Sequence, residues 1–269
     1  MESKEENFMG NLFDLTGRSA LVTGGGFGIG RSICEGLAEF GADVCVADIS
    51  EDTAKETVEI ISKYGHRAIA VKADVTSFQE VEVMVAKTVE AFGKIDIAVN
   101  NAGGLMGRYK VHETPEELWD RIMNLNFKGI FLCSKAEIKV MLEQKNGSII
   151  NTASVGAILP GDPDMMGSIY DSAKAGVIAF TRKTAGEYGK DGIRINAIAP
   201  GMVAGTAFAA DRKKDAPPNA AEKLQERISK TALGRPGTAD EMKGIVIYLA
   251  SDASSFATGQ VFVIDGGTS

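Results

Sequence analysis

Short apolar, β-branched runs recur along the chain at Ser19 to Thr23, Asp43 to Ala47, Ala68 to Lys72, Ile95 to Asn100, Ser148 to Thr152, Arg194 to Ala199 and Gln260 to Ile264. The segments between them return apolar residues every three or four positions, as Ile29, Ile33, Leu37 and Phe40 do before Gly41, which is the spacing of one helical face. Three helix starts carry capping-box spacing: Ser77 with Glu80, Thr114 with Glu117 behind Pro115, and Thr238 with Glu241. Seven strands alternating with helices predict an α/β fold, a parallel sheet covered by helices on both faces. No Pro/Ser-rich linker or internal repeat divides the pattern, so a single domain is expected over 1–269. The one irregular stretch is about 205–236, where Asp215-Ala216-Pro217-Pro218-Asn219 interrupts the short helical patterns Ala207 to Lys214 and Ala220 to Ala232. Late in such a fold, an interrupted helical insertion reads as a substrate lid.

Composition narrows the partners. The 269 residues are 44% hydrophobic, ample for a buried core, and carry a net charge of −7. With no basic run beyond Arg212-Lys213-Lys214, nucleic acid is not an expected partner. Cys34, Cys45 and Cys133 form no C-x-x-C pair and read as reduced core residues of a cytoplasmic protein. The start, Met1 to Asn7, is acidic and polar, and no segment is apolar enough to span a bilayer, so no membrane partner is expected. His66 and His112 are the only histidines and lack ligand spacing, which argues against a catalytic metal.

The first chemical signal is Thr23-Gly24-Gly25-Gly26-Phe27-Gly28-Ile29-Gly30, between the first strand and the first helix. Backbone N–H groups at such a turn, together with the helix dipole, favour an anion such as a dinucleotide pyrophosphate. Glycines also close ordinary turns, so the context matters: a second strand runs straight into Asp48 and Ile49, completing a βαβ unit. A carboxylate there accepts hydrogen bonds from ribose hydroxyls and repels a 2′-phosphate, and Phe27 replaces any basic residue in the turn. NAD is therefore the expected cofactor, within a single-domain Rossmann-type, doubly wound, seven-stranded parallel sheet. The alternative for Asp48 is a solvated acid at a strand end.

The second signal is Tyr170-Asp171-Ser172-Ala173-Lys174, which puts Tyr170 and Lys174 on one helical face. Bringing a phenol from a pKa near 10 to about 7 takes roughly 4 kcal/mol. One ammonium at about 5 Å, at an effective dielectric of about 20, supplies roughly 3 kcal/mol. Lys174 is thus expected to lower the Tyr170 pKa and make it a general acid/base. In isolation, such a pair also decorates exposed helices.

Together with Asp74-Val75, Asn100-Asn101-Ala102-Gly103, Asn124-Leu125-Asn126, Ser154, Pro200-Gly201 and Asp265-Gly266-Gly267, these motifs occur in an order that resembles the short-chain dehydrogenase/reductase family from Leu15 to Gly267. The resemblance implies hydride transfer between a nicotinamide and a carbinol or carbonyl carbon. It implies that Tyr170 exchanges the hydroxyl proton, Ser154 hydrogen-bonds the substrate oxygen, and Lys174 holds the nicotinamide ribose. Asn126 is implied to anchor a water of the proton relay; a tertiary hydrogen bond is its other reading. Gly24, Phe27, Gly28, Ile29, Gly30, Asp48, Ile49, Asp74, Val75, Asn101, Ala102, Gly103 and Val203 are implied to line the cofactor, with Tyr170 and Lys174. A homotetramer is implied as well, through the helices Thr114 to Gln144 and Tyr170 to Tyr188 and the terminal strand.

Two departures stand out. The Ser154 to Tyr170 interval is longer than the family norm around Pro160 to Met166, and Thr206 sits one position off the usual threonine. Leu105, Met106, Val155, Ile158, Met165, Met166, Met202 and Phe208 all fall in loops expected beside the nicotinamide, an apolar set suited to a hydrophobic or cyclic alcohol; Asp162 and Asp164 are the polar exceptions. The expected function is an NAD-dependent oxidoreductase interconverting a secondary alcohol and its ketone. A polyol or sugar-acid dehydrogenase, a 3-oxoacyl thioester reductase and an NAD(H)-sensing binding protein are the alternatives.

Overall fold

The computed structural model describes residues 12–107, 109–159, 167–206 and 220–269. The expected segments at 160–166 and 207–219, with Asp162, Asp164, Met165, Met166, Phe208 and the middle of the lid, lie outside the described residues. Seven strands form one sheet: β1 (Ser19–Thr23), β2 (Asp43–Asp48), β3 (Ala68–Lys72), β4 (Ile97–Asn100), β5 (Gly147–Thr152), β6 (Ile193–Pro200) and β7 (Val261–Ile264). Their order is β3-β2-β1-β4-β5-β6-β7 and every neighbouring pair is parallel. The order reverses between β1 and β4, which opens a crevice at their carboxyl ends, where sheets of this kind place ligands.

Alternate strand residues point to opposite faces, and both faces are packed. Ala20, Val22, Val44, Val46, Ile97, Val99 and Ile150 meet Ile33 and Leu37 of α1 (Gly28–Glu39), Ala54 of α2 (Glu51–Ile61) and Val246 and Leu249 of α8 (Lys243–Ala250). Leu21, Cys45, Ala98 and Ile149 meet Val81 and Met84 of α3 (Phe78–Phe92) and Leu132 and Met141 of α5 (Gly129–Gln144). Two-sided burial is why the strands read as continuous apolar runs. Cys34 and Cys45 fall in opposite layers, and all three cysteines are free and buried.

The remaining helices are α4 (Glu116–Met123), α6 (Ser168–Tyr188) and α7 (Ala220–Ser229). Between α4 and α5 the chain does not continue as a plain α-helix: Asn124–Lys128 is a π turn. Of the three capping boxes only Thr238 with Glu241 closes reciprocally. Ser77 Oγ accepts from Glu80 N, but the Glu80 carboxylate accepts from Asp74 N instead. Thr114 turns its hydroxyl back to the Lys110 carbonyl, and Pro115 flanks a helix that starts at Glu116. Among the described residues, no helix is long and apolar enough to cross a membrane and no group of His, Cys, Asp or Glu could hold a metal ion.

Candidate active site

The glycine turn lies flat because side chains are excluded from it. A Cβ on Gly30 would collide with the Gly24 carbonyl, and one on Gly24, whose φ is +64°, would come within 3.0 Å of Ala102 Cα. Phe27, extended and 52% exposed, precedes α1 without capping it by a side chain. The first-turn N–H groups of α1 thus have no side-chain cap, the arrangement that suits a phosphate. Gly28 and Ile29 open the helix there, and Thr206 Cα would stand 3.4 Å from a Cβ on Gly28. The shifted threonine therefore does approach the turn, with its Oγ1 donating to the Val203 carbonyl at 3.3 Å.

Asp48, at the end of β2, is held by its surroundings. Its Oδ2 accepts from Gly26 N at 2.9 Å and its Oδ1 from Ser50 N at 3.0 Å. Each oxygen keeps a lone pair for a further donor. Ile49 beside it is 66% exposed. The nearest cation on α1, Arg31, is engaged with Glu56 at 2.9 Å, Thr57 Oγ1 at 3.1 Å and the Gly26 carbonyl. Further along the crevice, Asp74 Oδ1 accepts from both the backbone N–H and the hydroxyl of Thr76 at 2.8 Å. Val75 is 7% exposed and packs against Gly129.

Sequence reasoning missed the residue that ties the crevice together. Thr23 Oγ1 accepts from the backbone N–H groups of Asn101 and Ala102 at 3.1 and 3.2 Å. The Asn101 amide returns the contact, donating to the Thr23 and Gly24 carbonyls at 3.2 Å. Asn101 thus braces the glycine turn with its side chain, and only its backbone and those of Ala102 and Gly103 remain to line a cofactor. The signal was available: a threonine ends a strand next to the turn.

Asn126 lies in the π turn, fully buried. Its Oδ1 accepts from Gly104 N at 3.0 Å, and its Nδ2 donates to the carbonyls of Gly104 at 2.9 Å and Ile122 at 3.0 Å. Both amide hydrogens are taken by carbonyls, which makes the tertiary hydrogen bond that was its other reading, and Oδ1 keeps a second lone pair for a further donor. It holds the loop after β4 against Lys174: a Cβ on Gly103 would lie 2.8 Å from Asn126 Oδ1 and 3.2 Å from Lys174 Nζ.

Tyr170 and Lys174 stand one turn apart on α6, with Ser154 just past β5. Tyr170 hydrogen-bonds Ser154, whose Oγ also accepts from Gly156 N at 3.2 Å. Lys174 is 2% exposed, and its Nζ donates to the Thr152 carbonyl at 2.8 Å, 5.8 Å from the Tyr170 ring centre. The electrostatics differ from the expected coupling. Burial pushes the Tyr170 hydroxyl up to about 12, against the Ser154 hydrogen bond and with help from Asp171. Burial also brings Lys174 down to about 7. In the chain by itself, loss of hydration is therefore the dominant effect on both groups. Val203, 8% exposed, is fixed over the crevice by a parallel bridge to Gly237, with Ala204 N donating to the Gly237 carbonyl and Gly237 N to the Met202 carbonyl, both at 2.9 Å. A small recess lined by Leu105, Tyr109, Thr114, Leu118, Ile122, Ser168 and Ile169, polar and apolar side chains together, adjoins Tyr170.

The flat turn, the uncapped helix and the oriented Asp48 form a cradle that fits a dinucleotide, and the loop after β4 leads from it to the Ser154, Tyr170 and Lys174 side chains. A family profile described as enoyl-(acyl carrier protein) reductase matches residues 25–269. A crystal structure of a short-chain type dehydrogenase/reductase from Mycobacterium marinum superposes with a TM-score of 0.88 at 35% identity, covering 96% of this chain and 98% of that one. This chain is a short-chain dehydrogenase/reductase. It is similar to a 3-oxoacyl-[acyl-carrier-protein] reductase of Synechocystis, 39% identical over 94% of this chain and 97% of the relative. It is also similar to a 2,5-dichloro-2,5-cyclohexadiene-1,4-diol dehydrogenase of Sphingobium indicum, 37% identical over 95% of this chain and 98% of the relative. As a short-chain dehydrogenase/reductase the protein is an oxidoreductase that works with a nicotinamide cofactor.

Proposed function

We propose that the protein is an NAD-dependent dehydrogenase that interconverts a secondary alcohol and its ketone, with a hydrophobic or cyclic alcohol as substrate. The observation that carries the reading is the Ser154–Tyr170 hydrogen bond, with the buried Lys174 one turn beyond, at the carboxyl ends of the parallel strands. When bound, the nicotinamide accepts the hydride in oxidation and supplies it in reduction. Tyr170 takes the carbinol proton at its Oη or returns it to the carbonyl oxygen, and Ser154 Oγ orients that oxygen. Lys174 Nζ, already directed by the Thr152 carbonyl, holds the ribose and adds positive charge beneath Tyr170 as its proton leaves. Gly24, Phe27, Gly28, Ile29 and Gly30 would cradle the pyrophosphate, Asp74 and Val75 the adenine, the backbone of Asn101 to Gly103 the middle of the cofactor, and Val203 the carboxamide.

The preference for NAD rests on Asp48 and on the engagement of Arg31, which leaves no cation of the turn to meet a 2′-phosphate. The likeness to a cyclohexadienediol dehydrogenase supports a cyclic substrate, and Leu105, Leu118, Ile122 and Ile169 put apolar side chains beside Tyr170. The same reading has residues 205–236 act as a lid and the chain assemble as a cytoplasmic homotetramer. Phe131, 43% exposed on α5, meets Phe180 of α6 edge-on, and Val263 of the edge strand β7 is 40% exposed, faces suited to other subunits. The test is NADH formation from NAD⁺, with NADP⁺ in parallel, across cyclic and steroid alcohols, polyols, sugar acids and 3-hydroxyacyl thioesters. Turnover with the cyclic class and NAD⁺ is expected. Preference for NADP⁺ overturns the cofactor assignment, and NADH binding without turnover in any class favours the sensing alternative.

A further inference from the structure

Asp171 follows Tyr170 on the first turn of α6, half-buried, and no hydrogen-bond donor among the described residues satisfies its carboxylate. Burial accordingly raises its pKa. The carboxylate reaches across to the turn Val155–Ala157, where a Cβ on Gly156 would overlap Asp171 Oδ1. Gly156 N is already given to Ser154 Oγ at 3.2 Å. The acid therefore lies against the segment that orients Ser154 without being neutralised by it, an approach possible only because residue 156 lacks a side chain.

Among the described residues, the turn and the elements facing α6 bring no other charge inward. The turn 155–157 is uncharged, and Leu118, Ile122 and Phe127 are what α4 and the π turn contribute toward α6. Glu116, Glu117, Asp120, Arg121 and Lys128 of those elements are solvent-exposed. On α6 itself, Lys174 is directed to the Thr152 carbonyl. Among the described residues, Asp171 is thus the carboxylate placed to act on Tyr170.

We propose that Asp171 is a positioning residue for proton transfer: its charge, held unpaired against the Ser154 turn, makes Tyr170 keep its proton to higher pH and so sets where alcohol oxidation begins. The idea rests on Tyr170 being the acid/base, but its test does not require turnover. The protein is labelled with [ζ-¹³C]tyrosine, the Tyr170 resonance is assigned with Tyr170→Phe, and the NADH complex is titrated from pH 7 to 11.5. In Asp171→Asn the Tyr170 resonance should begin to move about half to one pH unit earlier, the effect of one charge roughly 7 Å away through a half-exposed path. Asp171→Ser, which needs less room at Gly156, should show the same displacement and serves if the Asn variant fails to fold. With a turnover substrate, the rising limb of kcat/KM against pH should move by the same amount. An unmoved Tyr170 titration in a folded, NADH-binding variant overturns the proposal. A moved titration without turnover in any alcohol would instead count against the dehydrogenase reading alone.

Discussion

Replacing Glu137 by Gln should remove a pH dependence of stability that the fold builds into its centre. Glu137 is fully buried on α5. Its Oε2 accepts from Asn100 Nδ2 at 3.0 Å, while its Oε1 and Asn100 Oδ1 have no partner. Asn100 Nδ2 also faces Ser134 Oγ at 3.3 Å and Asn151 Oδ1 at 3.1 Å, so three acceptors share two hydrogens. Burial pushes the Glu137 carboxyl up from 4.5 to about 7, with the Asn100 hydrogen bond opposing. Between those values the folded chain holds a proton that the unfolded chain has released. The stability this group contributes is therefore full below about pH 4.5 and is lost as pH rises through about 7. At 1.36 kcal/mol per unit, the 2.5-unit difference amounts to about 3 kcal/mol. Lys174 acts in the opposite sense at higher pH: its value falls from 10.5 to about 7, so the unfolded chain binds the extra proton and stability rises between those values. Together the two groups put a minimum of stability near neutrality. The assay is urea denaturation at pH 5, 6, 7 and 8, comparing the protein with Glu137→Gln. The protein should lose a few kcal/mol relative to the variant between pH 5 and 7, since the amide keeps the Asn100 contact without an ionisable proton. Parallel curves for the two proteins across that window would refute the argument.

Tyr170→Phe should bind NADH as before, by fluorescence titration, and lose turnover by roughly 10²-fold or more, the contribution of a positioned acid/base; full activity would remove Tyr170 from the chemistry. Asp48→Ala should relax the preference for NAD⁺ over NADP⁺, read as the ratio of kcat/KM values, and an unchanged ratio would dismiss the ribose contact. Thr23→Val keeps the shape but leaves the Asn101 and Ala102 N–H groups without their acceptor. It should cost about 1–3 kcal/mol in thermal or urea denaturation and weaken NADH binding; a variant as stable as its parent would show that the brace is dispensable.

Much of the architecture was written locally. The strands were legible because both sheet faces are covered, which makes each strand a continuous apolar run; observed boundaries moved by only a residue or two, as for β4 beginning at Ile97 rather than Ile95. The glycine turn, Asp48 at the end of β2 and the Tyr170–Lys174 spacing were legible for the same reason: each depends on neighbours within one βαβ unit or one helical turn. Tertiary structure decided what depends on partners distant in the chain. Asn126 read as a mid-helix polar residue, but a π turn delivers it to Gly104, 22 residues earlier. Thr23 read as the end of a strand, but it joins the glycine turn to the loop after β4. The proton affinities of Tyr170, Lys174 and Glu137 also escaped a reading of spacing. Helical periodicity fixes which residues share a face, whereas the hydration each charge loses is set by whatever other segments close over it.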